Sequence, residues 1–467
     1  MKTLTLTVGA LLVALASGCS LQPVYQQPDS AVPALYPAAQ GAPAEKPTAA
    51  ATDWRQVLTD ARLQRLVELG LHNNRDLRVA MLNVERVQAQ YRIARSALAP
   101  QIGAQAGMDA AHTPDGIGGK PASTSRSYSA GLTAAWELDL FGRLRSQSDS
   151  AFQQYLASGH ARQAAEILLI SQIADQYLTT LADDAQLKLT LDTRTAAEAS
   201  YQLVKLQYDT GTVSELDLRL ARTTVDQADA NYQAQLRLRA QAENALVLLV
   251  GQALPADLPP PGRLDDNLIM ADMPAGLPSN LLLRRPDILQ AEAQLRAEHA
   301  DIGAARAAFF PNLSLTATAG SQSASLGGLF AAGTGAWTLL PALTMPIFNA
   351  GANQANLDVA VVSRDIGVAQ YQKAVQTAFR EVADGLAARG TYTAQLAAQQ
   401  RETADQQRRL ELENMLYKNG VDSYQNVLSA QTALYTAQQS LLTARLNQLT
   451  SLVDLYRALG GGWQPQS

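Results

Sequence analysis

Four histidines, a pair of adjacent aspartates, a glycine-rich stretch with a lysine and one cysteine are the residues of this sequence whose types could do chemistry. His72, His112, His160 and His299 would have to converge to hold a metal or move protons, but they fall in separate segments and no nucleophile motif accompanies them. "GIGGKPA" from Gly116 lacks the GxxxxGK[ST] spacing of a phosphate-cradling loop, and its Lys120 is followed by proline. Asp183 and Asp184 are neighbours in a helical segment, so they point to different parts of its surface, and the expectation is a solvated face rather than a metal pair. No enzyme, cofactor or metal site follows from these residues.

Cys19 has a different use. As the sole cysteine it excludes intramolecular disulfides and cysteine metal clusters. Lys2 precedes an apolar run from Leu4 to Ala16, and "ASGCS" follows, which predicts a signal peptide over residues 1–18 and a diacylated Cys19 as mature N terminus. Ala16 stands where a lipobox commonly carries Leu, Val or Ile. Ser20, rather than Asp, after the cysteine resembles the pattern of lipoproteins sorted to an outer membrane.

The elements that would carry any function come from repetition. "YDTGTVSE" from Tyr208 and "YKNGVDSY" from Tyr417 place a Tyr three residues before a Gly and a Ser three after it, 209 residues apart. The same offset pairs Leu203 with Leu412, Ala221 with Ala430, Ala228 with Ala437, Leu246 with Leu455 and Gly251 with Gly460. Upstream, an offset of 211 pairs Asp76 with Asp287, Arg95 with Arg306 and Pro100 with Pro311. The chain is two copies of one unit. Prolines cluster at Pro23–Pro47 and are absent between Pro121 and Pro255 and between Pro346 and Pro465, leaving room for long helices.

Heptads run through those gaps: Leu218, Ala221, Val225, Ala228, Tyr232 in the first copy and Val427, Ala430, Leu434, Ala437, Leu441, Ala444 in the second. A second seam through Leu428, Tyr435, Leu442, Leu449 and Tyr456 gives the helix two apolar flanks, as a stave in a ring of helices needs. The segment from about Leu144 to Thr210 would span roughly 100 Å as a helix, matched end to end by Leu71–Leu98 plus Ser214–Val250. Ala352–Lys418, Leu281–Phe309 and Asp422–Leu459 repeat the set. Between the helices the period changes to two, predicting strands at about 100–112, 126–141, 311–322 and 334–348. Each is long enough to cross a bilayer when tilted, yet four strands cannot close in lipid, so several chains must share one barrel. Two copies would give eight strands filled by side chains, and three would give twelve with a lumen. A formal net charge of -5 without a dense Lys/Arg run argues against nucleic acid as a partner.

"ELDLFGRLRS", "LLRRPDI", "GAARAAFFPNLSL" and "LYRALGGGW" resemble the TolC/OprM-type outer-membrane efflux proteins, on the lipidated OprM-like branch. The resemblance spans essentially Cys19 to Trp463. It implies a homotrimer whose twelve-stranded β-barrel in outer-membrane lipid continues as a twelve-helix periplasmic α-barrel. It also implies a periplasmic adaptor and an inner-membrane RND transporter as partners, and the role of exit duct of a tripartite multidrug efflux pump for small amphiphilic compounds. A type I protein-secretion channel is the alternative in the same class. A structural coiled-coil lipoprotein would have no use for the strands. The expected layout is a tether at 19–65, repeat one at 66–251, an equatorial connection at 252–280, repeat two at 281–460 and an equatorial tail at 461–467.

In this reading both repeated turns are periplasmic tips. Gly211, Thr212, Val213 and Ser214, with Gly420, Val421 and Ser423, would meet the adaptor. Tyr208, Asp217, Tyr417, Asp422, Gln425 and Ser429 would line the gate, with Tyr417 donating to Asp217 as the family's tyrosine–aspartate tie. Asn426 and Ser429 stand where relatives often carry aspartates, and Gln425 where an apolar residue narrows the entrance.

Overall fold

The computed structural model describes residues 20–29, 32–33, 36, 53–115, 121–270 and 279–462. Cys19, with its expected lipidation and the preceding signal peptide, lies outside the described residues, as do 116–120, 271–278 and the tail from Trp463. The described chain is mostly helical, with two sets of helices and strands in the same order. The first set is α1 (Trp54–Val57), α2 (Ala61–Asn73), α3 (Arg75–Ser96), β1 (Gln101–Thr113), β2 (Ser123–Leu138), α4 (Arg143–Asp209) and α5 (Glu215–Val250). The second is α6 (Pro286–Ala307), β3 (Asn312–Ser323), β4 (Gly335–Thr344), α7 (Ala352–Lys418) and α8 (Tyr424–Ala458). Both long helices, α4 and α7, have 67 residues, or about 100 Å each. Among the described residues no helix is long and apolar enough to cross a membrane.

Two compact units divide the chain. One takes the residues up to Asp29, Leu82–Gly159 and Gln290–Gln372, and the other Ser30–Met81, His160–Leu289 and the chain from Lys373.

The first unit holds an antiparallel sheet of order β1-β2-β3-β4. Leu132 faces Ala319 and Trp136 faces Leu315 across its central pair. At that pair Gly131 stands opposite Gly320, and a Cβ on Gly131 would come within 2.6 Å of the Ala319 carbonyl oxygen. Outward-facing apolar groups are large: on one face of β4 Trp337 is 77%, Leu339 54% and Leu343 67% exposed, the reverse of a water-soluble sheet face. The turn from β2 into α4 explains one quoted motif. Glu137 and Asp139 share a face of the extended chain, and each captures an arginine from the first turn of α4. Arg143 Nη2 donates to both oxygens of Glu137 at 2.7 Å, and Asp139 accepts the Arg145 backbone N–H at 2.8 Å. Phe141 stacks on Phe310, centroids 4.7 Å apart, joining that motif to "GAARAAFFPNLSL".

The second unit has an apolar core of Leu63, Leu66 and Val67 from α2, Ile173, Tyr177 and Leu178 from α4, and Val453 and Tyr456 from α8, among others. In α5 the buried positions Ala221, Ala228, Gln235 and Ala242 recur every seven residues, and in α8 Val427, Ala430, Leu434, Ala437 and Ala444 follow the expected seam. The other two motifs meet here. Arg285, 7% exposed, pairs with Asp287 and Glu381 and donates to the Ala458 carbonyl at 2.6 Å, so "LLRRPDI" holds the end of α8 just before its glycines. Leu58 bridges Ile269, and Tyr177 Oη accepts the Gly262 N–H at 3.1 Å, seating the described part of the 252–280 connection on this core.

Three expectations differ in detail. The helix expected over Leu71–Leu98 is interrupted at Asn74, which is buried. Its Oδ1 accepts the Leu77 N–H and its Nδ2 donates to the Leu249 carbonyl, so a new helix starts there. β4 ends at Thr344 rather than near 348, because its partner β3 begins at Asn312, the residue opposite Thr344. Asp183 and Asp184 stay part-exposed, but both are engaged rather than only solvated: Gln235 Nε2 donates to Asp183 at 3.1 Å and Arg239 Nε to Asp184 at 3.0 Å, tying α4 to α5.

Gly251 closes α5 at φ 79°, with Asn73 O 2.5 Å from where a Cβ would lie, whereas Gly211 has φ 77° and open space around it. Gly211→Ala therefore isolates the backbone penalty, about 1–2 kcal/mol, while Gly251→Ala adds a collision with backbone. Thermal unfolding in detergent should show the larger drop for Gly251→Ala, and equal drops would refute the packing argument.

Candidate functional site

The two repeated turns are one backbone device used twice. After α4 the Gly211 N–H bonds to the Tyr208 carbonyl at 2.8 Å and the Thr212 N–H to the Gln207 carbonyl at 2.9 Å. After α7 the Gly420 N–H bonds to Tyr417 O and the Val421 N–H to Leu416 O, both at 3.0 Å. This paired closure requires a left-handed residue, and Gly211 and Gly420 supply it at φ 77° and 69°. The tyrosines contribute only carbonyls to it, so their side chains are free for other work.

The starts of the next helices differ. Ser214 caps α5 in a reciprocal box: its hydroxyl accepts the Asp217 N–H, and the Asp217 carboxylate accepts the Ser214 N–H at 3.2 Å and hydroxyl at 2.7 Å. Ser423 begins α8 without a side-chain cap. Asn426 occupies the position equivalent to Asp217, and its amide donates to Asp422 at 2.6 Å. The Ser423 N–H and that amide hold the Asp422 carboxyl below the usual carboxylate range. The departure at Asn426 thus exchanges one capping arrangement for another.

Between the turns lies a cluster joining both hairpins of the chain: Val204, Ala221, Tyr424 and Val427 are buried, with Tyr201, Val213, Leu218 and Tyr417 packed around them. Tyr417 does not donate to Asp217. Its hydroxyl donates to Gln207 Oε1 at 2.9 Å, while Asp217 Oδ2 accepts the Ser214 N–H and hydroxyl. Asp217 is felt electrostatically: burial first, then that negative charge, pushes the Tyr417 hydroxyl above its ordinary value. Tyr424 lies against Tyr417, centroids 5.5 Å apart, and shares a 2.8 Å hydrogen bond with Ser200. The Ser429 hydroxyl donates to the Gln425 carbonyl on its own helix at 3.0 Å, Gln425 is exposed, and Tyr208 is 39% exposed. The tips themselves are unlike. Val213 packs inward, whereas Val421 is 72% exposed, with Leu216 at 67% and Leu206 at 62%.

Gln207, Ser200 and Tyr424 are the contacts that sequence reasoning missed. A signal existed, since all three are positions where the copies disagree: Gln207 against Leu416, Ser200 against Arg409, and Tyr424 against Glu215. Differences within a repeat mark where the two halves meet rather than mirror each other. The histidines stay apart. His112 contacts Thr124, His160 contacts Gln163, His299 is buried against Tyr25, and His72 lies in α2. Among the described residues no group of three or more potential ligands could hold a metal.

A two-copy chain with an antiparallel sheet whose outward face is apolar, carrying long heptad hairpins that end in matched glycine turns, is that of a membrane-inserted duct. The family model for outer membrane efflux proteins matches residues 66–252 and 277–461, one stretch for each copy, and the chain belongs to that family. It is 47% identical to a toluene efflux pump outer membrane protein, TtgC of Pseudomonas putida, over 99% of this chain and 96% of that protein. A crystal structure of a membrane protein from Pseudomonas aeruginosa superposes with a TM-score of 0.88 at 40% identity, covering 95% of this chain and all of the other. The open state of the MtrE outer membrane channel of Neisseria gonorrhoeae gives 0.84 at 37%, covering 95% and 98%. The protein is the outer-membrane channel of a tripartite efflux pump.

Truncating Tyr424 to Ala should open the tip by removing a buried ring, a loss of about 3–5 kcal/mol for aromatic truncations, whereas Tyr424→Phe should cost about 1 kcal/mol. Hydrogen exchange should rise around residues 200–204 and 421–428 in Tyr424→Ala and stay unchanged in β1–β4. Faster exchange in the strands as well would show that the cluster is not a local element.

Proposed function

We propose that three copies of the chain close a twelve-stranded barrel in the outer membrane and a twelve-helix periplasmic tunnel, through which small hydrophobic and amphiphilic compounds pass from an inner-membrane RND transporter and its periplasmic adaptor. The observation that carries this reading is the pair of open sheet edges. Among the described residues β1 pairs only with β2 and β4 only with β3. Backbone groups left bare in lipid cost several kcal/mol each, so each edge needs a partner, and β4 of one copy beside β1 of the next supplies it. The length of the hairpins supports a tunnel reaching an adaptor, and the exposed Val421, Leu216 and Leu206 offer it apolar contacts at the tips. The relatives named for toluene, solvent and antibiotic efflux support a substrate range of small apolar compounds. Diacylated Cys19 adds a lipid anchor.

The tips form the gate, and the neutral Tyr417–Gln207 bond is its tie within each chain. Such a bond is worth about 1 kcal/mol, less where solvent reaches it. Over three chains opening together that is at most about a hundredfold in the closed-to-open ratio.

Native mass spectrometry in detergent should give a species of three chains, and a stable monomer would overturn the shared barrel. In planar bilayers Tyr417→Phe and Gln207→Leu should raise conductance alike, with the double variant adding nothing further. Asp217→Asn should change it less, because that carboxylate caps α5. Trimers of both single variants that conduct like the parent would remove the pair from the gate. Cells lacking the chain should become sensitive to toluene-like solvents and amphiphilic antibiotics, and regain resistance with the parent gene.

A further inference from the structure

A carboxyl group stands in the apolar seam where α4 meets α8. Ile173, Tyr177 and Leu178 of α4 are buried together with Val453 and Tyr456 of α8, and Asp175 lies among those α4 residues. As a residue Asp175 is partly exposed, but its Oδ1 is buried and has no hydrogen-bond partner. Ser171, one helical turn earlier on the same face, is 2% exposed, and its Oγ is also buried without a partner. A neutral group tolerates such a place far better than a charge, because burying an ion without compensating bonds costs much more than burying a hydroxyl.

The charges that bear on Asp175 belong to α8. Burial first, then repulsion from Asp454, pushes its carboxyl up to about 7, against the pull of Arg457. Arg457 is committed elsewhere: its Nη2 donates to Asp454 at 3.0 Å, while its Nε is buried without a partner. On the side toward α7, Glu381 lines a cavity with Arg457 and Leu168 but is paired with Arg285. On the flank toward α5 the contact is neutral, Gln176 Nε2 donating to the Ala242 carbonyl at 3.0 Å. Asp175 can gain Arg457 only by taking it from Asp454.

We propose that Asp175 is a proton-binding switch built into the α4–α8 seam. Neutral, it leaves Arg457 on Asp454 and the seam closed; ionised, its buried oxygen draws Arg457 off Asp454, and the seam loosens. A carboxyl that holds its proton more tightly in the folded chain than in the unfolded one contributes stability in acid. That contribution is lost as pH rises from the ordinary carboxylate range through about 7. The duct is therefore braced in acidic surroundings and relaxes beside the end of α8 as they turn alkaline.

The test takes the full-length chain as its native assembly in detergent, from about pH 5.5 to about pH 8.5, a range that brackets this titration. In infrared difference spectra the parent should show the carbonyl stretch of a protonated carboxyl in acid, lost toward the alkaline end, and subtracting Asp175→Asn should isolate that band. Hydrogen exchange over residues 168–178 and 449–458, corrected for the intrinsic pH dependence of amides, should rise about tenfold in the parent across the range and stay flat in Asp175→Asn. The midpoint should move down in Asp454→Asn, which removes the repulsion, and up in Arg457→Gln, which removes the attraction. Those two side chains are 53% and 40% exposed, so their opposite shifts can be read even if Asp175→Asn fails to assemble. Opposite shifts mark a titrating Asp175, which a purely structural carboxyl would not produce. A parent without a transition, an equal rise in Asp175→Asn, or midpoints that move the same way in both α8 variants would overturn the switch.

Discussion

Each strand of this protein must hand over to a helix without leaving a backbone or charged group stranded at the change, and the corner between β2 and α4 shows how. Glu137 and Asp139 lie two apart on an extended chain, so they share a face. Arg143 and Arg145 lie two apart at the start of a helix, past the left-handed Gly142, and reach back to them. The pairs are charge-assisted and partly buried, and Asp139 also caps the helix through the Arg145 N–H. With the corner fixed, Phe141 meets Phe310, which fixes where the second copy enters the sheet. In the β2–β3 register that follows, Gly131 stands opposite Gly320, and neither position has room for a Cβ.

Duplication solves the remaining problem at low informational cost. One hairpin with a heptad seam buries one flank, and the second copy packs against it through Val204, Ala221, Tyr424 and Val427. The turn needs no side-chain specificity beyond glycine, since its bonds are all backbone. Specificity was added where the copies diverged. Asp217 became a cap in one copy while Asn426 turned to Asp422 in the other, and Gln207, Ser200 and Tyr424 came to join the two halves.

Two buried polar groups of the second unit, Arg285 and Asn74, are each held by bonds to more than one element. Arg285 is almost fully buried, yet two carboxylates and a helix-terminal carbonyl surround it. The carbonyl belongs to Ala458, at the end of α8, where the macrodipole is negative and a cation is favoured. Asn74 ends one helix and begins another, using both ends of one amide. These are points at which apolar packing alone would allow the helices to slide, and each fixes a position.

The sequence by itself determined the two-copy order, the lengths of α4 and α7, the period change from helix to strand and the glycine reversals. Each of these is a local property: a period, a missing proline or a required φ shows within a few residues. It also carried the heptad seams, since burial along α8 follows Val427, Ala430, Leu434 and Ala437. Tertiary structure decided the pairings, because a hydrogen bond between residues 210 apart depends on the register of two packed helices. Tyr417 donates to Gln207 rather than to Asp217 for that reason, while Asp217 caps α5 through Ser214. Asp183 and Asp184, exposed on any helical wheel, became ties to α5 once that helix lay beside them. The contact of Tyr25 with Glu292, Arg296 and His299 was invisible in sequence, since a proline-rich tether shows its partner only when a packed helix, α6, supplies those three residues on one face.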